Sequence, residues 1–122
     1  MSVILCIDDD SDVRNLLKKI LTGAGYTVTT AGDGRQGLAE ARNNKPNLIL
    51  LDVMMPAIDG FSVCSQLQAD KETAYIPVIF LTALDDEEER ANALAVGAVD
   101  YLTKPVQKES LLTKVEEQLK KI

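Results

Sequence analysis

Histidine and tryptophan are absent from this 122-residue chain, and aromatic residues make up only 4% of it. Without histidine there is no Ser-His-Asp or Cys-His nucleophile pair, no imidazole-ligated zinc and no phosphohistidine formed on this chain. Any chemistry falls to carboxylates, lysines and hydroxyls. The two cysteines, Cys6 and Cys64, sit in separate apolar segments and form no C-x-x-C pair, so they read as buried free thiols of a cytoplasmic protein. Positive charge is in short supply: 13 Lys and Arg face 19 Asp and Glu, for a net charge of −6. That balance speaks against direct binding of nucleic acid or of an anionic membrane surface. No apolar run approaches the ~20 residues of a membrane-spanning helix. The N-terminus has no basic stretch leading into a signal-like segment.

What is present is an ordinary globular composition, 46% apolar and 26% charged, in a length that suits one domain over residues 1–122. Five runs read as strands: VILCI (3–7), YTVTTA (26–31), LILLD (48–52), PVIFLT (77–82) and VDYL (99–102). Three of them are almost uninterruptedly apolar, the pattern of parallel strands covered on both faces. Helical periods lie between them. Val13, Leu16, Leu17, Ile20, Leu21 and Ala24 mark a first helix, with Ser11 as its cap and Gly23 or Gly25 as its stop. Leu38 and Ala41 mark a second; Phe61, Cys64, Leu67 and Gln68 mark a third. Asp85 to Glu88 fits a capping box opening a fourth, and Leu111, Leu112, Val115, Leu119 and Ile122 form an amphipathic fifth. Five alternations with short connections predict an α/β fold, a (βα)5 flavodoxin-like three-layer sandwich around a parallel five-stranded sheet.

The polar residues collect at one edge of that sheet. The first strand runs into Asp8, Asp9 and Asp10, the third ends on Asp52, the fourth on Thr82, and Lys104 and Pro105 follow the fifth. In an open α/β sheet, ligands bind at the carboxyl ends of the strands, where the strand order reverses. Only the second strand stands outside the cluster, which an order of 2-1-3-4-5 explains. Crowded carboxylates repel one another unless a cation neutralises them. Hard oxygen ligands favour Mg2+ or Mn2+, and Mg2+ often works beside phosphate oxygens. An unpaired buried carboxylate is costly, yet Asp52 follows four apolar residues in the segment NLILLDVMMPAIDG (47–60). A role as nucleophile accounts for its place. It is ionised at neutral pH without a general base, and aspartyl phosphates are a known use of such a group. Phosphoryl transfer asks mainly for positioning and charge neutralisation, which a divalent cation, Lys104 and Thr82 would supply.

These residues, read with their neighbours, resemble the receiver domain of two-component response regulators, of the chemotaxis-regulator type. The resemblance rests on C-I-D-D-D after the first strand, L-D-V-M-M-P-x-x-D-G around Asp52, L-T-A at 81–83 and G-A-V-D-Y-L-T-K-P at 97–105, in that order over nearly the whole chain. It implies that Asp52 is the phosphoacceptor, that Asp9, Asp52 and the Met54 backbone carbonyl hold the metal, and that Asp8 acts on it through water. It implies that Thr82 and Lys104 hold the phosphoryl oxygens, that the Lys104–Pro105 bond is cis, and that Tyr101 turns inward as Thr82 moves. A sensor histidine kinase or a phosphotransfer protein would donate the phosphoryl group. The face made by the fourth helix, fifth strand and fifth helix would then control a downstream protein or a fused output domain. The resemblance also implies that Met54, Ala83 and Leu84, which flank the site, influence how fast the phosphate is lost.

Other readings attach to the same residues. Asp8, Asp10 and Asp12 imitate the first half of a calcium loop, but its sixth position is Val13 and its twelfth Lys19, which rejects it. Gly32, Gly34 and Gly37 in AGDGRQG spell a dinucleotide fingerprint, but in the second βα unit and with no second mononucleotide half, so a turn is the better reading. The run DDEEER (85–90) reads as a helix start with acids near the positive end of the dipole. A small haloacid-dehalogenase-like phosphatase would use Asp8 and Asp10 as its nucleophile pair. A flavodoxin-like FMN carrier would want aromatics and a Ser/Thr-rich phosphate loop after the first strand, and the chain offers neither.

Overall fold

The computed structural model describes residues 2–83 and 86–121. Five strands form one parallel sheet: β1 (Val3–Ile7), β2 (Thr27–Ala31), β3 (Leu48–Asp52), β4 (Val78–Thr82) and β5 (Asp100–Thr103), in the spatial order 2-1-3-4-5. The helices α1 (Ser11–Gly23), α2 (Gly34–Asn44), α3 (Gly60–Ala69), α4 (Glu87–Ala95) and α5 (Lys108–Lys120) fill the crossovers. Alternation along the three central strands sorts their side chains into two layers, as the period of two requires. Leu5, Ile7, Ile49, Leu51, Val78 and Phe80 face Ala41 of α2, Val63, Cys64 and Leu67 of α3 and Ala93 of α4. Ile4, Cys6, Leu48, Leu50, Ile79 and Leu81 face Leu17 and Leu21 of α1 and Leu111 and Val115 of α5. Every residue of β3 and β4 is buried, which makes these strands the rigid base on which the carboxyl edge stands.

The ends of the elements differ in detail from the sequence expectation. The cap of α1 is Asp10, whose carboxylate accepts from Asp12 N–H, so Ser11 is already inside the helix. The helix ends at Gly23 with Ala24 as its cap, and Gly25, at φ 97°, supplies the left-handed turn into β2. Leu16, one of the residues that mark the period of this helix, is 44% exposed. β4 begins after Pro77, which has no N–H for the ladder but offers its carbonyl to Ile49 N–H at 3.0 Å. β5 runs one residue later than its apolar pattern suggested. The cap of α4 is Asp86, accepting from Glu89 N–H at 2.7 Å; Leu84, Asp85 and Ile122 lie outside the described residues.

Two of the three glycines of AGDGRQG, Gly34 and Gly37, serve close packing. Asp33 caps α2, and Gly34 and Gly37 are on the helix itself. A Cβ on Gly34 would lie 2.4 Å from Ile58, and one on Gly37 2.5 Å from Ile7. Only residues 32–33 make the bend after β2, and Gly34 and Gly37, as part of the helix, let α2 settle onto the sheet.

Candidate functional site

β1, β3 and β5 each hand over to the following loop through a backbone hydrogen bond from the first residue beyond the strand. Asp8 N–H donates to Ala31 O at 3.1 Å, Val53 N–H to Leu81 O at 3.1 Å, and Lys104 N–H to Thr82 O at 2.7 Å. The ladder therefore continues to the edge and delivers Asp8, Asp52, Thr82 and Lys104 to one place. Asp8 is fully buried, Asp52 is 4% exposed and Thr82 2%. Carboxylate oxygens of Asp8, Asp9 and Asp52 lie within 4.8 Å of one another, the single such acidic cluster among the described residues. Lys104 reaches in from the loop after β5, with Nζ 3.0 Å from Asp8 Oδ2 and 3.2 Å from Asp52 Oδ1.

Asp52 is held at the end of β3 by a neighbouring glycine. Gly60 N–H donates to Val53 O at 2.8 Å, and a Cβ on Gly60 would stand 2.2 Å from Asp52 O. α3 thus starts in van der Waals contact with the backbone of Asp52, capped by Asp59, which accepts from Ser62 N–H at 2.8 Å. The loop between them carries Ala57 at φ 69°, a left-handed position without glycine.

Three carboxylates facing one ammonium leave the cluster short of positive charge. Burial and the nearby Asp8 charge push the Asp52 carboxyl up to about 6, against the pull of Lys104. Burial works to lower the Lys104 ammonium, but Asp8 and Asp52 outweigh it and its pKa is raised. Asp8 Oδ1 accepts from Asp10 N–H at 2.9 Å. Asp8 Oδ2 is within ion-pair distance of Lys104 but has no aligned hydrogen bond, and is the buried side-chain oxygen left in that state among the described residues. A buried carboxylate oxygen whose one charged partner is the Lys104 ammonium, beside two other carboxylates, fits the oxygen donor set of a hard divalent cation.

The remaining expected residues fall around this centre. The Lys104–Pro105 peptide is cis. The Met54 side chain is 70% exposed, on the loop directly after β3. Tyr101, half-buried on β5, packs against the α2–α3–α4 side of the core, and the Arg90 guanidinium of α4 lies 4.7 Å from its ring centroid. Cys6 and Cys64 are buried and free, their thiols pushed up by burial to about 12 and about 11. No described helix is long and apolar enough to cross a membrane.

The chain matches the family model for the response regulator receiver domain over residues 4–116. It belongs to that family. Receiver domains are the phosphorylation-dependent switches of two-component signalling. This one is similar to the DNA-binding dual master transcriptional regulator RpaA of Synechocystis, 45% identical over 99% of the chain but only 50% of RpaA. The chain thus spans about half the length of that relative. Among solved structures it is similar to the chemotaxis protein CheY4 of Vibrio cholerae, with a TM-score of 0.92, 33% identity and coverage of 96% and 98% of the two chains. It is also similar to the receiver domain of sensor histidine kinase PA1611 from Pseudomonas aeruginosa, with a TM-score of 0.89, 30% identity and coverage of 97% of each chain. That domain holds a magnesium ion in its active-site cleft.

Two residues of the receiver edge escaped the sequence reading. Gly60 stands in the D-G pair of the motif, yet nothing local says that its missing Cβ abuts Asp52. Arg14 looks like an ordinary polar position of an amphipathic helix. Its Nη1 nevertheless donates to Asp8 O at 2.7 Å. The available signal was its place four residues after the cap Asp10, because helical side chains lean toward the N-terminus.

Proposed function

We propose that Asp52 is the phosphoacceptor of this receiver domain and that the charge it gains controls a partner through the α4–β5–α5 face. The observation that carries the reading is the convergence of Asp8, Asp9 and Asp52 within 4.8 Å, with Lys104 paired to two of them. An Asp52 carboxylate oxygen attacks phosphorus in line. The new P–O bond forms as the P–N bond to a donor phosphohistidine breaks, and the imidazole leaves with the electron pair of that bond. Even at a pKa of about 6, Asp52 is mostly ionised at neutral pH, so no base is needed to activate it. Lys104, released from its pairing with Asp52, neutralises a phosphoryl oxygen, and the Thr82 hydroxyl donates to another. Asp9, Asp52 and the Met54 carbonyl would hold Mg2+ or Mn2+ directly, with Asp8 acting through water. When bound, the cation neutralises the non-bridging oxygens of the transferred group.

A sensor histidine kinase or a phosphotransfer protein supplies the phosphoryl group in the cytoplasm. The chain catalyses only its own phosphorylation and its return to the free carboxylate. Thr82 and Lys104 are joined through their backbones at 2.7 Å, so a pull on either bears on β5, where Tyr101 sits. Reorientation of Tyr101 then alters how the face meets a downstream protein or a fused output domain. A phosphoryl charge shifts that equilibrium only by binding the two states differently.

The test is intact mass after incubation with a small phosphodonor, with and without Mg2+, on the wild type and Asp52→Asn. A single phosphoryl adduct that requires both the cation and Asp52 is expected. Multiple turnover of phosphate esters that survives Asp52→Asn and is abolished by Asp8→Asn would replace this reading with a phosphatase. Folded wild-type protein that forms no adduct would reduce the domain to a phosphorylation-blind adaptor.

A further inference from the structure

Asp8 and Asp9 are adjacent, so the directions of their carboxylates depend on the peptide plane between them. That plane lies beyond the last sheet pairing, Ile7 with Ala31 on one side and Leu51 on the other. The Asp8 N–H is held by Ala31 O, but the Asp8 carbonyl has passed the end of the ladder. Arg14 occupies it. From the second turn of α1 its guanidinium folds back toward the strand end, and Nη1 donates to Asp8 O at 2.7 Å. Gly32, in the turn after β2, lies directly beside the guanidinium: a Cβ there would stand in ordinary van der Waals contact, 3.4 Å from Nη1 and 3.7 Å from Cζ, so a branched side chain extending beyond it would press on the guanidinium. The Gly32 N–H is itself tied to Gln36 Oε1 at 3.1 Å. Arg14 therefore ties α1 to the loop after β1 through the Asp8 carbonyl, next to the turn after β2.

We propose that Arg14 is a positioning residue for the divalent cation: it fixes the Asp8–Asp9 peptide plane and so presents the two carboxylates together. The proposal rests on the phosphoacceptor reading above, and it assigns Arg14 no contact with cation or phosphate. Its sign separates it from simple electrostatics. A cation beside an acidic cluster repels Mg2+, so deleting Arg14 for its charge alone would tighten Mg2+ binding. Losing the carbonyl clamp instead weakens it, as removal of partners that orient metal ligands does by ~10- to 100-fold.

The experiment measures Mg2+ affinity by calorimetry on the unphosphorylated domain for wild type, Arg14→Ala, Arg14→Lys and Gly32→Val. The thermal midpoint of each without cation is recorded alongside. Phosphorylation rate is then followed against Mg2+ concentration. Arg14→Ala is expected to bind Mg2+ about tenfold more weakly and to recover most of its maximal phosphorylation rate at saturating Mg2+. Arg14→Lys, which keeps a donor and the charge, recovers part of the affinity. Gly32→Val, which crowds the guanidinium while leaving its charge, shifts affinity in the same direction as Arg14→Ala. Unchanged or tighter Mg2+ binding by folded Arg14→Ala overturns the proposal, as does a loss of affinity in Gly32→Val no different from none. Wild-type protein that neither binds Mg2+ nor forms the Asp52 adduct would overturn the phosphoacceptor reading itself, a result distinguishable from failure of the Arg14 variants alone.

Discussion

Replacing Asp52 by Asn should stabilise the cation-free domain at neutral pH, although it removes the group proposed to do the chemistry. Asp52 is 4% exposed and its carboxyl is pushed from 3.8 to about 6, first by burial and then by Asp8. Each pH unit between the folded and unfolded pKa corresponds to ~1.4 kcal/mol, so ionising Asp52 inside the fold costs about 3 kcal/mol more than ionising it in the unfolded chain. Because the folded pKa is the raised one, the native state is favoured while Asp52 is protonated. That advantage is whole below about pH 4, declines between about 4 and 6, and is gone above. Asn has the shape of the protonated acid and keeps an oxygen for Lys104. Urea titrations with chelator present, from pH 4 to 8, should therefore show wild type and Asp52→Asn nearly equal at pH 4. The variant should gain with rising pH and level off about 2–3 kcal/mol ahead above pH 6.5. Adding Mg2+ should close the gap by stabilising the wild type through binding. An Asn variant less stable than wild type at pH 7, or a difference that ignores pH, would refute the claim that Asp52 is held against an electrostatic and desolvation cost.

Ala57→Gly should raise stability by about 1 kcal/mol in the same titration, since a side chain at a left-handed φ of 69° costs ~1–2 kcal/mol and glycine returns part of it as chain entropy. Gly60→Ala should lose about 3 kcal/mol, the upper end for overpacking, because its Cβ would strike backbone atoms of Asp52 and Val53. Gly37→Ala should cost less, since the atom it meets first is the terminal Cδ1 of Ile7. Thr82→Ala and Tyr101→Ala should each leave the Asp52 adduct in place while reducing the phosphate dependence of partner binding, measured as the affinity ratio with and without phosphodonor. Partner binding that keeps its full phosphate dependence in both variants would remove them from the switch.

Local pattern determined more of this protein than its size suggests. Short apolar runs such as those in LILLD and VIFLT, five residues long and bounded by turn signals, fit strands buried on both faces, and the three- and four-residue period of the segments between them fits helix. Once the strands are parallel, chain connectivity sends every strand's carboxyl end to one edge, so Asp8, Asp9, Asp52, Thr82 and Lys104 were legible as one cluster. The glycine motif at 32–37 shows the limit of such reading. Its spacing is that of a phosphate loop, and only the approach of Ile7, Ile58 and Val63 to Gly34 and Gly37 reveals it as packing. Caps were legible to within a residue, since Asp10 and Ser11 are equally competent and the choice depends on where the strand releases the chain.

Tertiary structure alone decided the energetics of the edge. The raised pKa of Asp52 needs the depth of β3 beneath the surface and the nearness of Asp8, neither of which sequence spacing encodes. The reach of Lys104 to two carboxylates depends on the path of the loop after β5. The clamp of Arg14 on the Asp8 carbonyl depends on a helix packed closely enough to return to its own starting strand. A sequence specifies which groups arrive at an edge through periodicity and connectivity. How hard they are pressed together is a property of packing, in which residues far apart along the chain share one small volume.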